Sequence, residues 1–205
     1  MKILVAYEYS GRVREAFRAL GHDVISCDFE ESDDTSPYHY VGDVLELISE
    51  LGHEFDLMIA HPPCTYLTVS ANKWFKDQPP RASGVLVGQA RRDAREEAVD
   101  FFMKLYNCPI PKIAIENPIG TMSSRFRKPN QVIQPWMFGL PVTKATCLWT
   151  RGLPNLTPTN EIKEEMLANP NREYSQNLPP SPTRWKERSR TYQGIADAMA
   201  SQWGQ

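Results

Sequence analysis

Asp56-Leu57-Met58-Ile59-Ala60-His61-Pro62-Pro63-Cys64 and Lys112-Ile113-Ala114-Ile115-Glu116-Asn117-Pro118 decide how the chain reads. Each starts as a short, continuously apolar run and stops at breakers, the pattern of a strand buried on both faces of a parallel sheet. Each run therefore carries a reactive group to the C-terminal end of its strand, a thiol in one case and a carboxylate in the other. In an open α/β sheet ligands bind at that edge. A cysteine beside an acid there suits attack on an electrophilic ring carbon, with proton transfer next to it.

Outward from these two runs, strands and helices alternate. Lys2 to Tyr7 reads as a first strand, and Ser10 is placed to cap a helix with Val13, Ala16, Phe17 and Leu20 at helical spacing and Gly21 after its end. Asp23 to Cys27 reads as a second strand ending at Asp28, Glu30 to Pro37 as loop, and Val44 to Leu51 as a short helix. The polar stretch from Cys64 to about Gly84 carries Lys73, Trp74 and Lys76, and a loop of that length is usually a functional lid or disordered. A long helix follows over Leu86 to Tyr106, with Ala90, Ala94, Ala98, Phe101 and Phe102 expected inward and Arg91, Arg92 and Arg95 largely outward. Residues 121–186 are proline-rich and irregular apart from a strand at Thr146 to Thr150, and a final helix near Thr191 to Trp203 presents Ile195, Met199 and Trp203. The alternation predicts one domain over residues 1–205, a mostly parallel sheet with helices on both faces.

Composition narrows the classes. A chain of 205 residues with 23 Lys+Arg, 25 Asp+Glu and a net charge of −2 is not held on nucleic acid by bulk charge, although a local basic patch is compatible with it. No apolar stretch is long enough to span a bilayer, and the N-terminus lacks a signal-peptide pattern, so a cytoplasmic location is expected. The four cysteines and four histidines show no metal-ligand spacing and no disulfide framework. Burial is the ordinary fate of Cys27, Cys108 and Cys147.

Taken together, the motifs resemble the DNA cytosine-5 methyltransferases in their order along the chain. Tyr9-Ser10-Gly11 resembles the aromatic-x-Gly turn of the cofactor loop, Asp28 the acid after the second strand, and Gly42-Asp43-Val44 the Gly-Asp-Ile motif. Pro62-Pro63-Cys64 is similar to the nucleophile motif, Glu116-Asn117 to the Glu-Asn motif, and Tyr192-Gln193-Gly194 to the closing Gly-Asn motif. The resemblance is to a compact branch of phage and prophage proteins and covers nearly the whole chain. It implies a Rossmann-like S-adenosylmethionine-dependent methyltransferase fold.

The resemblance also implies a chemistry. Cys64 adds to C6 of cytosine so that C5 becomes nucleophilic, and Glu116, its pKa raised by an apolar setting, supplies the proton that N3 needs. Asn117 orients the base or the loop, and Lys144, ahead of the Thr146 strand, stands near the position of the family's base-holding cation, with Arg125 and Arg127 as the alternative. Tyr9, Ser10, Gly11, Asp28, Asp43, Pro62 and Gly194 are then expected at the cofactor, with the helix N-terminus after Gly11 favouring the carboxylate of its methionine part. Lys73, Trp74, Lys76, Arg91, Arg92, Arg125 and Arg127 are expected at the DNA.

Blander readings stand beside these. A Pro-Pro-Cys turn alone is more often structural, Asp28 and Asp43 are equally suited to capping, and an arginine-rich helix face is usually solvated. The pattern also departs from the family. Val13 stands where a second glycine is usual, Thr65 where glutamine follows the nucleophile, and Pro118 where valine is common. Residues 121–186 are short for a target recognition domain, which predicts low sequence specificity, specificity borrowed from a partner, or a nucleotide such as dCMP as substrate. A non-catalytic nucleic-acid-binding or regulatory role on the same scaffold is the alternative from another class.

Overall fold

The computed structural model describes residues 1–205, apart from the side chain of Ala71. Its strands are β1 (Lys2–Ala6), β2 (Asp23–Asp28), β3 (His39–Val41), β4 (Leu57–Ala60), β5 (Lys112–Pro118), β6 (Gln131–Ile133) and β7 (Thr146–Arg151). Its α-helices are α1 (Arg12–Arg18), α2 (Val44–Leu51), α3 (Gly88–Tyr106), α4 (Met122–Arg125), α5 (Lys163–Ala168), α6 (Tyr174–Asn177), α7 (Arg184–Ser189) and α8 (Gln193–Trp203). The strands form a seven-stranded sheet in the order β3-β2-β1-β4-β5-β7-β6. The pairings from β3 through β5 are parallel, and β7 runs antiparallel to both of its neighbours. The doubly wound plan expected from the alternation is present. Among the described residues no helix is long and apolar enough to cross a membrane.

The continuous hydrophobicity of the central strands follows from their being covered on both sides. Successive side chains point to opposite faces. Leu4, Met58, Ile113 and Ile115 pack with residues of α2 and α3. Ile3, Val5, Leu57, Ile59 and Ala114 pack with α1 and with Ile195, Met199 and Trp203 of α8. An alternating polar pattern would leave one of those helix layers without a surface to bury.

Details differ from the sequence reading: Leu20 lies beyond α1 and is exposed, and residues 121–186, read as irregular apart from one strand, also hold α4, α5, α6 and the start of α7. The residue ahead of α1 is Gly11, at φ 71°, and Ser10 makes no cap. Instead the buried carboxylate of Glu8 accepts from the amides of Val13 at 2.7 Å and Arg14 at 3.1 Å. β3 and β6 escape a pattern search because each has three residues and lies at a sheet edge, where Tyr40, Val41 and Val132 are exposed. On α3, Ala90 is exposed and Arg91 is buried, which turns the expected inward face. The cause is tertiary, since Arg91 donates to the carbonyls of Leu86 at 3.3 Å and Thr65 at 3.0 Å.

Candidate active site

The register Ala60↔Ile115 sets the ends of β4 and β5 side by side. The chain leaving β4 turns at Pro62-Pro63, where two fixed φ angles limit the conformations open to the turn. Asn117, buried within β5, donates from Nδ2 to the carbonyl of Pro62 at 3.2 Å. Beyond Cys64, the amide of Thr121 donates to Leu67 O at 2.8 Å, and a Cβ on Gly120 would overlap that same carbonyl. Arg91 holds Thr65 from α3, and Arg95 donates to Tyr66 O at 3.0 Å. The thiol is thus carried by a turn braced from two directions.

Of the four free cysteines Cys64 alone is exposed. Packing around the sulfur pushes its pKa up and the charge of Glu116 adds to the shift, while Lys144 and Arg188 oppose it. The two cations favour the thiolate that a nucleophile must become.

Glu116 differs from expectation. His61, the residue that begins the turn, donates from Nδ1 to Glu116 Oε2 at 2.7 Å, with both side chains largely enclosed. Burial works to raise the Glu116 pKa, but the hydrogen bond and charge of His61, joined by Lys144, outweigh it and hold the carboxyl below its usual range. The reading of Glu116 as an acid raised by an apolar setting is therefore corrected, because its setting supplies cations. For His61, burial works to lower the pKa, and the hydrogen bond and charge of Glu116, with Glu8, raise it overall. The His61 signal was available in the sequence as a histidine directly between an apolar strand and Pro-Pro-Cys.

Lys144 approaches the same edge from ahead of β7, whose Leu148 pairs with Glu116. Its Nζ donates to the carbonyl of Arg188 at 2.8 Å, tying it to the segment that carries α7. That segment crosses the turn after β1. The Tyr9 hydroxyl donates to Lys186 O, the Tyr9 ring meets Trp185 edge-on at 5.8 Å, Lys186 pairs with Glu30, and Arg190 pairs with Asp33. Tyr9 and Lys144 are thereby joined through one short basic stretch, Arg184-Trp185-Lys186-Glu187-Arg188-Ser189-Arg190, that the sequence reading did not single out.

Across β1 and β2 the edge is furnished differently. Asp28 ends β2, and burial pushes its pKa up against the opposing amides of Glu30 and Phe29 and the charge of His39. Phe29 beside it is 63% exposed. Asp43 caps α2 through Leu45 N at 2.7 Å, so the blander of its two readings is present in the structure. Tyr7 has φ 59°, and its buried hydroxyl has no partner. Burial and the charges of Asp43, Cys27 and Asp28 push its pKa upward, which puts the hydroxyl among those groups. An unpartnered donor, an acid and an exposed ring at one strand edge fit the nucleoside part of S-adenosylmethionine. The α1 N-terminus fits its carboxylate less well than expected, because Glu8 already takes two of the amides there. Ser10 donates to Glu8 at 3.3 Å, and a Cβ on Gly11 would strike Arg14 and Asp34, so these residues serve the chain's own packing. Gly194 is likewise required by the carbonyl of Phe138, which a Cβ there would overlap.

The expected DNA-contacting cations divide. Arg91 is buried, and Arg92 donates to Phe75 O at 2.7 Å and to Asp77 at 2.8 Å. Arg125 pairs with Glu96, and Arg127 donates to Tyr106 and to Thr150 O, both at 3.1 Å. Thr150 pairs with Ala114, before Glu116 on β5, so Arg127 belongs toward the opposite end of the strands from the thiol. Lys73 and Lys76 are exposed, and the Trp74 ring is approached by Lys73 and Arg81, whose cationic centres are 4.6 and 4.3 Å from its centroid.

No protein-family model matches the chain, and no curated protein does. Among solved structures it is similar to an E. coli prophage-encoded protein described as a DNA modification methyltransferase, at 13% identity and TM-score 0.45, over 73% of this chain and 46% of that one. It is similar to a Spodoptera frugiperda DNMT2 variant at 16% identity and TM-score 0.44, over 78% of this chain and 54% of that one. It is also similar to the S. pombe Dnmt2 methyltransferase at 15% identity and TM-score 0.45, over 74% and 50%. The chain spans about half the length of each.

Proposed function

We propose that the chain is an S-adenosylmethionine-dependent methyltransferase acting on C5 of cytosine in DNA through a covalent adduct at Cys64. One observation supports the reading above the others. The exposed thiol and the enclosed Glu116 leave adjacent parallel strands at the same sheet edge, with Lys144 approaching from ahead of β7. The unpartnered Tyr7 hydroxyl, Asp28 and Phe29 provide for the cofactor nucleoside along the same edge. When bound, that cofactor supplies an electrophilic methyl group.

The residues then divide the work. Cys64 adds to C6 of the ring as its thiolate, a form that burial and Glu116 disfavour on balance and that Lys144 and Arg188 work to restore. Glu116 stands where the charge developing on N3 can be met by a proton. Asn117 keeps the Pro62 carbonyl, and hence the thiol turn, fixed against β5. A cytosine in duplex DNA must leave the stack to reach such a pocket.

A second reading, transfer to a free pyrimidine nucleotide, is favoured by the internal use of Arg91, Arg92, Arg125 and Arg127, which leaves fewer cations for a phosphate backbone. Labelled S-adenosylmethionine incubated with duplex DNA, single-stranded DNA and dCMP decides between them. Label on DNA cytosine supports the first reading, label on dCMP alone moves the function to the second, and no transfer overturns both.

A further inference from the structure

We infer that His61 and Glu116 work as a single acid. His61 holds a proton on Nδ1, aims Glu116, and supplies the proton that Glu116 passes on, so that His61 is a positioning residue for proton transfer. The identity of the ring that receives the proton rests on the reading proposed above.

The geometry makes the pair more than a packing contact. His61 is fixed at its backbone, where its amide continues the β1·β4 ladder by donating to Ala6 O at 2.9 Å. Its ring is fixed at Nδ1 by Glu116 at 2.7 Å. Its side chain is 8% exposed, yet Nε2 is enclosed with no hydrogen-bond partner. Buried histidines that only pack normally satisfy both ring nitrogens. The thiol lies three residues further along a turn that Asn117, the neighbour of Glu116, also holds.

The chemistry requires such an arrangement. Lys144 and His61 both favour the carboxylate form of Glu116, so the glutamate alone is a poor store for a proton near neutral pH. The imidazole stores it one hydrogen bond away. Facing His61 are Glu116 from β5, Glu8 from the turn after β1, and Lys144 from ahead of β7; the two acids favour the charged ring and the lysine opposes it. As the bond from Cys64 Sγ to C6 forms, the C5–C6 π pair shifts through the ring to N3. Nδ1–H of His61 breaks as its proton passes to the Glu116 carboxylate, and the N3–H bond forms with that same proton as it leaves the Glu116 oxygen. The thiolate charge is thereby neutralised on the ring, Glu116 is again ionised, and His61 is left neutral.

The full chain labelled with ¹⁵N-histidine tests the pair directly, the His61 signal being assigned from His61→Asn. The expected result is a ring protonated at neutral pH whose titration moves down in Glu116→Gln. A neutral ring, or one that Glu116→Gln does not move, overturns the pair. His61→Asn retains an N–H able to donate to Glu116 and has no proton to pass on. Its kcat for methyl transfer to a cytosine-containing duplex should fall by at least ~100-fold, as for loss of general acid catalysis. KM and the alkylation rate of Cys64 by iodoacetamide should remain as in the wild type, and the fall in activity on the alkaline side should lose its His61 component. A His61→Asn protein with wild-type kcat and pH profile overturns the inference. A wild type that transfers no methyl group overturns the functional reading instead, and the coupled titration then decides the pair by itself.

Discussion

His61 Nδ1 lies 2.7 Å from Glu116 Oε2, and the two groups shift each other in opposite directions. His61 is raised above its ordinary 6.5, so its contribution to stability is complete below that value and is lost as pH rises through the folded-state pKa. Glu116 is lowered from its ordinary 4.5, so its contribution is complete above that value and is lost as pH falls through the folded-state pKa. Thermal denaturation of the wild type and Glu116→Gln should therefore differ most between the two ordinary values and converge on either side. A difference independent of pH would remove the ion pair from the account.

The exposed thiol has a sharper test. DNA carrying 5-fluorocytosine should trap a covalent complex after methyl transfer, because fluorine cannot leave C5 as a cation. The complex should be visible on a denaturing gel with the wild type and absent with Cys64→Ala. Undiminished methylation by Cys64→Ala would refute the nucleophilic mechanism.

Arg91 is expected to act on folding rather than on DNA. Its buried guanidinium donates to the carbonyls of Leu86 and Thr65, and truncation leaves both without that partner. Arg91→Ala should lower stability by about 1.5–3 kcal/mol in denaturant titrations, the range for hydrogen bonds to charged groups. The slope of DNA affinity against salt should not change. A stable Arg91→Ala protein with a flattened slope would restore Arg91 as a phosphate contact.

Lys73, Lys76 and Arg188 remain as exposed cations. Replacing all three by alanine should weaken DNA binding about equally on all sequences. On duplex DNA the salt slope should become shallower by roughly 0.9 for every phosphate that the triple variant leaves unneutralised. Fluorescence anisotropy at several salt concentrations measures both. An unchanged slope would locate the DNA surface elsewhere.

At the cofactor edge, Asp28→Ala should weaken S-adenosylmethionine binding by roughly 1–3 kcal/mol in calorimetry, the scale of charge-assisted hydrogen bonds. Gly194→Ala should act otherwise. Its added methyl overlaps the Phe138 carbonyl, so stability should fall while the folded fraction keeps its cofactor affinity. Loss of affinity without loss of stability would return Gly194 to the cofactor site.

The strands at the centre of the sheet were legible because burial on both faces demands unbroken hydrophobicity, and Leu57 to Ala60 and Lys112 to Ile115 have it or nearly so. Their ends, Cys64 and Glu116, were legible for the same reason, since the breakers mark where each strand stops. β3 and β6 were not, because three residues at a half-exposed edge carry no period to read. The burial of Arg91 was equally hidden. Helical spacing favours alanines on the inner face, and only the arrival of Thr65 O gives a guanidinium reason to displace them.

By itself, then, the sequence determined the central strands, the helices α1, α2, α3 and α8, and which reactive groups lie at the strand ends, since these follow from local hydrophobic pattern and from breakers. Only the tertiary structure decided the protonation chemistry of the site and the fate of its arginines. His61 and Glu116 are 55 residues apart, and Lys144 and Arg188 are 44 apart. A carboxyl's pKa depends on which cations stand within a few ångströms of it, and no local pattern records that distance. The Glu116 position could be read from its strand; its ionised state depends on His61 and Lys144, brought to that strand by the order of the sheet.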